Sequence, residues 1–333
     1  MNTSLRAFRS TLIAGAVLAL VGIGLVGCGG ESSSDGGSAE TEKSTSMNMV
    51  TVNWIEGMAM TYMQEAILED SLGMDVTVNE VNGGGIAFSS VASGDADFFN
   101  EAWLPTTHKD PWDKNKDNSQ KLGYTYKGTS VGIAVPSYVP VDTFPDFADH
   151  VDKFDGTLNG IESGAAINDQ IANTIELYEM GDSYSVQAAS GPANWQALKT
   201  AISNDEAIAV AAWKPHWKWN VYDIKYVKGA TTGDNVDIWG QPEDIFTIVD
   251  NEFIDEFPKE AVCFLKEFEA NDEQVGSLMN AFRNRGDMSK RAAAQQWIQD
   301  NPDDVSAWMD QAEECAGGGP VEALPDDATY SSK

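Results

Sequence analysis

Residues 49–81, MVTVNWIEGMAMTYMQEAILEDSLGMDVTVNEV, change their hydrophobic period twice. Met49–Trp54 alternates apolar and polar residues as a half-buried strand does. Met58–Ser71 switches to helical spacing closed by Gly73, and Met74–Val81 returns to a β-rich pattern. The stretch is predicted to be a β-α-β unit. Downstream, Gly83-Gly84-Gly85 turns into a short helix at Ile86–Ser93 stopped by Gly94, with a strand at Ala96–Phe99. Val131–Val135 reads as a strand before Pro136. A second α/β series then runs through Thr157–Glu162, Ile167–Met180, Trp195–Ser203 and Ala207–Trp213. Ile245–Val249 is strand-like, and from Phe253 to Cys315 the chain is almost wholly helical, with breaks at Pro258, Gly286 and Pro302. This alternation argues for an α/β fold with parallel strands, divided into two α/β lobes. Residues 47–130 with 247–333 make the first lobe and 131–246 the second. Segments crossing near residues 130 and 245 act as a two-segment hinge, with the ligand cleft between the lobes.

The chain has 333 residues, of which 42% are hydrophobic, enough for a sizeable core. Its 21 Lys+Arg against 52 Asp+Glu give a net charge of −31, a field that repels phosphate backbones and excludes nucleic acid as a partner. Residues 1–27 place Arg6 and Arg9 ahead of an apolar run, Leu12–Val26, which is short for a spanning helix. They read as a signal peptide. The run ends in Leu25-Val26-Gly27-Cys28, which resembles the lipobox of bacterial lipoproteins and makes Cys28 the lipidated residue. Residues 28–46, rich in Gly, Ser and Glu, then form a flexible linker between membrane surface and folded body. The expected location is extracytoplasmic, held to the bacterial membrane by lipid. In that compartment Cys263 and Cys315 are an even pair; a disulfide is one reading and two buried thiols the other.

Catalytic patterns are weak. Gly128-Thr129-Ser130-Val131-Gly132 matches the G-x-S-x-G nucleophile elbow, but IAVPSYV follows where a helix is needed, so Ser130 is read as a loop residue and a hydrolase is disfavoured. The glycines at 83–85 lack the G-K-[ST] of a phosphate-binding loop, and no H-E-x-x-H is present. His108, His150 and His216 form no cluster with cysteine. The expectation is no enzyme, no cofactor and no metal.

The informative residues are tryptophans. The chain has ten, and Trp54, Trp103 and Trp213 fall where predicted strands end, the edge at which α/β sheets bind ligands. A box of indole faces suits a quaternary ammonium, which has no N–H to donate and is held by cation–π attraction and dispersion, each face contributing about 0.5–2 kcal/mol. Trp112, Trp297 and Trp308 lie among charged residues or on amphipathic helices and read as surface or core anchors.

Gly94-Asp95-Ala96-Asp97 leading into Ala102-Trp103-Leu104-Pro105-Thr106-Thr107-His108, and Ala212-Trp213-Lys214-Pro215-His216-Trp217 leading into Tyr222-Asp223-Ile224-Lys225-Tyr226, closely resemble the glycine betaine-binding proteins of ABC importers, over roughly residues 48–310. The resemblance implies a periplasmic-binding-protein-like fold of type II. It implies a cation cage of Trp54, Trp103 and Trp213, with the ligand carboxylate held by His108 and the backbone N–H groups of Ala166 and Ile167. Related betaine binders commonly have Gly-Ile where this chain has Ala166-Ile167. Glu56 stands where the choline-binding branch resembles having an acidic cation partner, so choline is the rival ligand, and His216 is read as a support for its loop. The implied partners are a permease and its ATPase, with the binding protein a monomer. A quaternary-ammonium sensor lipoprotein is the alternative.

Overall fold

The computed structural model describes residues 43–329. The signal peptide, Cys28 and nearly all of the linker read from the sequence lie outside the described residues.

The opening unit comprises β1 (Ser46–Val52), α1 (Ile55–Asp70) and β2 (Asp75–Val81). β1 and β2 pair in parallel from Ser46↔Asp75 to Val52↔Val81. The helix begins three residues earlier than its apolar spacing suggests, so Trp54 becomes its N-cap and Glu56 falls in its first turn. A carboxylate suits that position, beside unpaired N–H groups at the positive end of the helix dipole. α2 (Gly84–Ser93) ends at Gly94, whose φ of 76° is left-handed and favours glycine.

β3 (Phe98–Leu104) differs from the expected strand at Ala96–Phe99. All seven of its residues are buried, so the polar–apolar alternation that marks a half-exposed strand is missing. Trp103 therefore stands inside the strand rather than after it. α3 (Lys109–Asn115) precedes β4 (Ser119–Pro136), an 18-residue strand that starts well before the predicted Val131. Ser130 is thus a strand residue and not a loop residue: it pairs with Lys214, and its hydroxyl lies 3.2 Å from the Tyr226 hydroxyl.

A 3-10 helix (Phe144–Lys153) leads to β5 (Thr157–Asn159), α4 (Ala166–Leu177), β6 (Ser185–Gln187), α5 (Gly191–Ser203), β7 (Val210–Lys214), α6 (Lys218–Val221) and β8 (Ile224–Thr231). β9 (Glu243–Asp250) then returns to the first strands. The strand order is β2-β1-β3-β9-β4-β7-β5-β6, with β8 also on β4. Parallel pairing, as expected, holds within β1–β3 and within β5–β7. β4 and β9 run antiparallel to their neighbours. The length of β4 explains the single path: its residues 119–129 pair with β9, and its residues 130–134 pair with β7.

The C-terminal helices are α7 (Phe253–Glu256), α8 (Lys259–Glu267), α9 (Asp272–Arg283), α10 (Lys290–Asp300) and α11 (Pro302–Gly317). Pro258 caps α8, Gly286 separates α9 from α10 with φ 58°, and Pro302 opens α11, where a missing N–H costs nothing. Cys263 on α8 and Cys315 on α11 are bonded, with Cα atoms 5.7 Å apart. Among the described residues no helix is long and apolar enough to cross a membrane.

Candidate ligand cavity

Seven residues singled out from the sequence, Trp54, Glu56, Trp103, His108, Ala166, Ile167 and Trp213, line one small apolar cavity, with Thr107, Val131, Ile161 and Ala165 completing the wall. They come from distant parts of the chain. Trp54 and Glu56 stand at the start of α1, Trp103 near the end of β3, His108 at the N-cap of α3 and Trp213 near the end of β7. The three indoles are buried, at 7%, 3% and 6% exposure. The His108 ring stacks on Trp54 with centroids 5.6 Å apart and planes 17° apart.

In the same wall, α4 begins with no side chain capping its first N–H groups, which leaves the amides of Ala166 and Ile167 as donors at the positive end of a helix. Ala166 supplies that N–H as glycine would. The backbone packs tightly against His108 and the loop before α4: a Cβ on Gly84 would lie 2.7 Å from His108 Nε2, and one on Gly83 would lie 3.2 Å from the Gly164 carbonyl oxygen.

His108 is neutral. Its Nδ1 accepts the backbone N–H of Trp103 at 3.0 Å, which puts the ring proton on Nε2, and burial pushes its pKa down to about 3. The ring therefore offers a donor without the extra charge that protonation would add. His216 lies outside the cavity wall, edge-on to Trp213 at 4.9 Å, and its Nδ1 accepts the backbone N–H of Lys218 at 3.0 Å.

Charged groups surround this apolar space. Burial raises the Glu56 carboxyl to about 8, against the opposing pull of Lys218 and the Trp213 indole. Lys218, 1% exposed, is pushed down to about 8 by its own burial, and its ammonium sits 4.6 Å from the Trp213 ring centroid. Glu101 is fully buried and accepts the Trp103 indole N–H at 2.9 Å; burial first, and Glu56 second, raise its carboxyl well above the ordinary range. The loop after β3 is held by Glu243, which accepts the backbone N–H groups of Thr106 and Thr107 and the Thr107 hydroxyl.

Glu101, Lys218, Glu243 and Glu162, whose carboxyl lies near the Trp54 indole N–H, are not marked as site residues by the sequence. For Glu101 a signal exists: it lies two residues before Trp103, on the same face of the strand, inside the otherwise uncharged run FFNEAWL. The other three depend on contacts between distant segments. Trp112, Trp297 and Trp308 are buried anchors, their indoles donating to Asp326, Ser277 and the Glu269 carbonyl.

Residues 46–300 match the substrate binding domain of ABC-type glycine betaine transport systems. The chain belongs to this family. It is a family of transporter substrate-binding proteins and not of enzymes. The glycine betaine/carnitine transport binding protein GbuC of Listeria monocytogenes is 29% identical over 179 residues, 54% of this chain and 56% of that protein, so the match spans little more than half of that relative's length. The structure of the glycine betaine/L-proline-binding protein ProX of Borrelia burgdorferi is similar with a TM-score of 0.72 and 27% identity, covering 79% of this chain and 96% of that one. Lactococcal OpuAC, in its closed-liganded conformation with glycine betaine, is 30% identical with a TM-score of 0.71, covering 80% and 99%. Within this betaine-transport family domain lie every cavity residue and Cys263; α11 and Cys315 follow its end, so the disulfide ties a C-terminal extension to the matched region.

Proposed function

We propose that this protein is the extracytoplasmic, lipid-anchored binding component of an ABC importer, capturing glycine betaine or a close betaine analogue for osmoprotectant uptake. The observation that carries the reading is the convergence of Trp54, Trp103 and Trp213 on one apolar cavity that also holds His108 and the start of α4. A trimethylammonium group needs aromatic faces because it cannot donate a hydrogen bond. A carboxylate needs donors, here His108 Nε2–H and the amides of Ala166 and Ile167. Trp54, Trp103 and His108 belong to the first lobe, residues 47–130 with 247–333, and Ala166, Ile167 and Trp213 to the second, residues 131–246. A ligand touching both favours closure about the crossing strands β4 and β9. Cys28 supplies the anchor, and the loaded monomer passes its ligand to a permease driven by an ATPase.

Choline is the second reading, favoured by Glu56, which puts a carboxyl group in the cavity wall. Isothermal calorimetry of residues 43–333 with each ligand separates the two. Betaine binding with little response to choline supports the carboxylate arm. Choline binding alone overturns the role given to His108, and silence with both overturns the function.

A further inference from the structure

A carboxyl group stands near the N–H edge of each of the three indoles. Trp103 Nε1 donates to Glu101 at 2.9 Å, while the N–H of Trp213 lies near Glu56 and that of Trp54 near Glu162, both outside close hydrogen-bond geometry. Glu56 lines the cavity; Glu101 stands behind the wall. Glu101 is 0% exposed, one of its oxygens has no hydrogen-bond partner, and among the described residues no cation pairs with it. A buried acid so placed is costly unless something of opposite charge comes to it.

The fold makes room for this group at two places. Between Phe99 and Ala102 the register of β3 against β9 shifts, so β3 carries an extra residue at Asn100-Glu101. On α1, a Cβ at Gly57 would lie 2.7 Å from Glu101 Cγ, so the absence of a side chain at 57 seats the carboxyl against the helix beside Glu56. Burial of an acid that a bulge and a glycine both accommodate points to use of its charge.

We propose that Glu101 is a positioning and specificity-determining residue of the cage: it fixes the edge of Trp103 and, with Glu56, supplies the negative charge that selects a permanent cation over an uncharged group of the same shape. The inference rests on the betaine-binding reading and adds to it a residue that does not touch the ligand. Of the titratable groups, Glu56 on α1 acts on Glu101, Lys218 after β7 and Glu162 before α4 act on Glu56, and His108 and His216 are buried. Among them Lys218 supplies the positive charge, and it acts on Glu56. Without a ligand cation, burial and mutual repulsion favour the protonated acids. When the ammonium enters, an acid O–H bond breaks, its electron pair stays on the carboxylate oxygen and the proton passes to water.

Glu101→Gln keeps an oxygen for the Trp103 N–H and removes the charge. Calorimetry compares glycine betaine with tert-butylacetate, in which carbon replaces the ammonium nitrogen, using buffers of different ionisation enthalpy to count protons. Wild-type protein is expected to release protons at pH 7 with betaine in excess of any exchanged with tert-butylacetate. Glu101→Gln is expected to lower the betaine-to-tert-butylacetate affinity ratio at least tenfold and to reduce that release. An unchanged ratio in a variant that melts like wild type overturns the proposal while leaving betaine binding intact. Equal proton counts for the two ligands in wild type overturn it without any variant. Absence of binding to betaine and to choline overturns the functional reading and this inference with it.

Discussion

Replacing Trp213 by alanine removes one wall of the cavity while leaving the backbone contacts of β7 in place. The Trp213 carbonyl still accepts the Trp219 indole N–H, a bond now at 2.8 Å, because that contact is made by the main chain. The lost cation–π attraction is about 0.5–2 kcal/mol for one face. Burial of roughly 40 Å² of ligand methyl surface adds about 1 kcal/mol at ~25 cal/mol per Å². Together these weaken glycine betaine binding by about tenfold to a hundredfold, at 1.4 kcal/mol per factor of ten. Trp213→Phe retains a π face and should lose only a few-fold. The assay is calorimetric titration of both variants and of Trp103→Ala at one salt concentration, beside thermal melts that verify folding. Unchanged affinity in Trp103→Ala and Trp213→Ala, with wild-type melting, would refute the cage. Equal losses in the phenylalanine and alanine variants would instead place the effect in the indole N–H facing Glu56.

Gly84→Ala should displace the His108 ring, since its Cβ would meet Nε2 at 2.7 Å; betaine affinity should fall by more than choline affinity, and equal effects on both would contradict the donor role of Nε2. Ligand-free stability should decline between pH 6.5 and 8. Glu56 rises from 4.5 to about 8 on folding, so the unfolded chain gives up that proton first, and Glu56 alone accounts for about 2 kcal/mol lost across this window, with Glu101, Glu65 and Glu243, also raised by burial, adding to the decline. His108, depressed from 6.5 to about 3, opposes the trend only below pH 6.5, and Lys218, depressed from 10.5 to about 8, opposes it only above pH 8. Thermal melts of wild type and Glu56→Gln check this, the variant being flatter; a flat wild-type profile would contradict it. Removing the Cys263–Cys315 bond, which spans 52 positions, should cost about 4 kcal/mol in the chain-entropy model, read as a lower melting temperature in Cys263→Ala/Cys315→Ala. Betaine affinity should stay unchanged, because neither residue lines the cavity.

Much of this architecture is legible locally. The period change between Met49 and Val81 marks β1, α1 and β2, because helix and strand place side chains on one face at different intervals. Gly94, Pro258 and Pro302 mark helix limits through backbone geometry alone. The two tryptophan–proline motifs name residues of both sides of the cavity. Where the local signal fails, burial does not follow residue polarity. β3 is enclosed on both faces and shows no alternation, and β4 looks like a short strand because its first residues, Ser119–Gly128, are mostly polar or small. β8 shows no clean alternation for a related reason: Ile224–Thr231 is irregularly buried against β4.

Chain chemistry by itself determines that tryptophans, a histidine and a helix start are available and that the net charge is strongly negative. Only the tertiary structure decides that Trp54, Trp103 and Trp213 share a cavity, because β4 and β9 must first join strands more than a hundred residues apart. It also decides the charge states: His108 is neutral and Glu56 and Glu101 are raised because solvent is excluded by segments remote in sequence. Side-chain type and spacing are local properties, whereas desolvation and convergence belong to the folded chain as a whole.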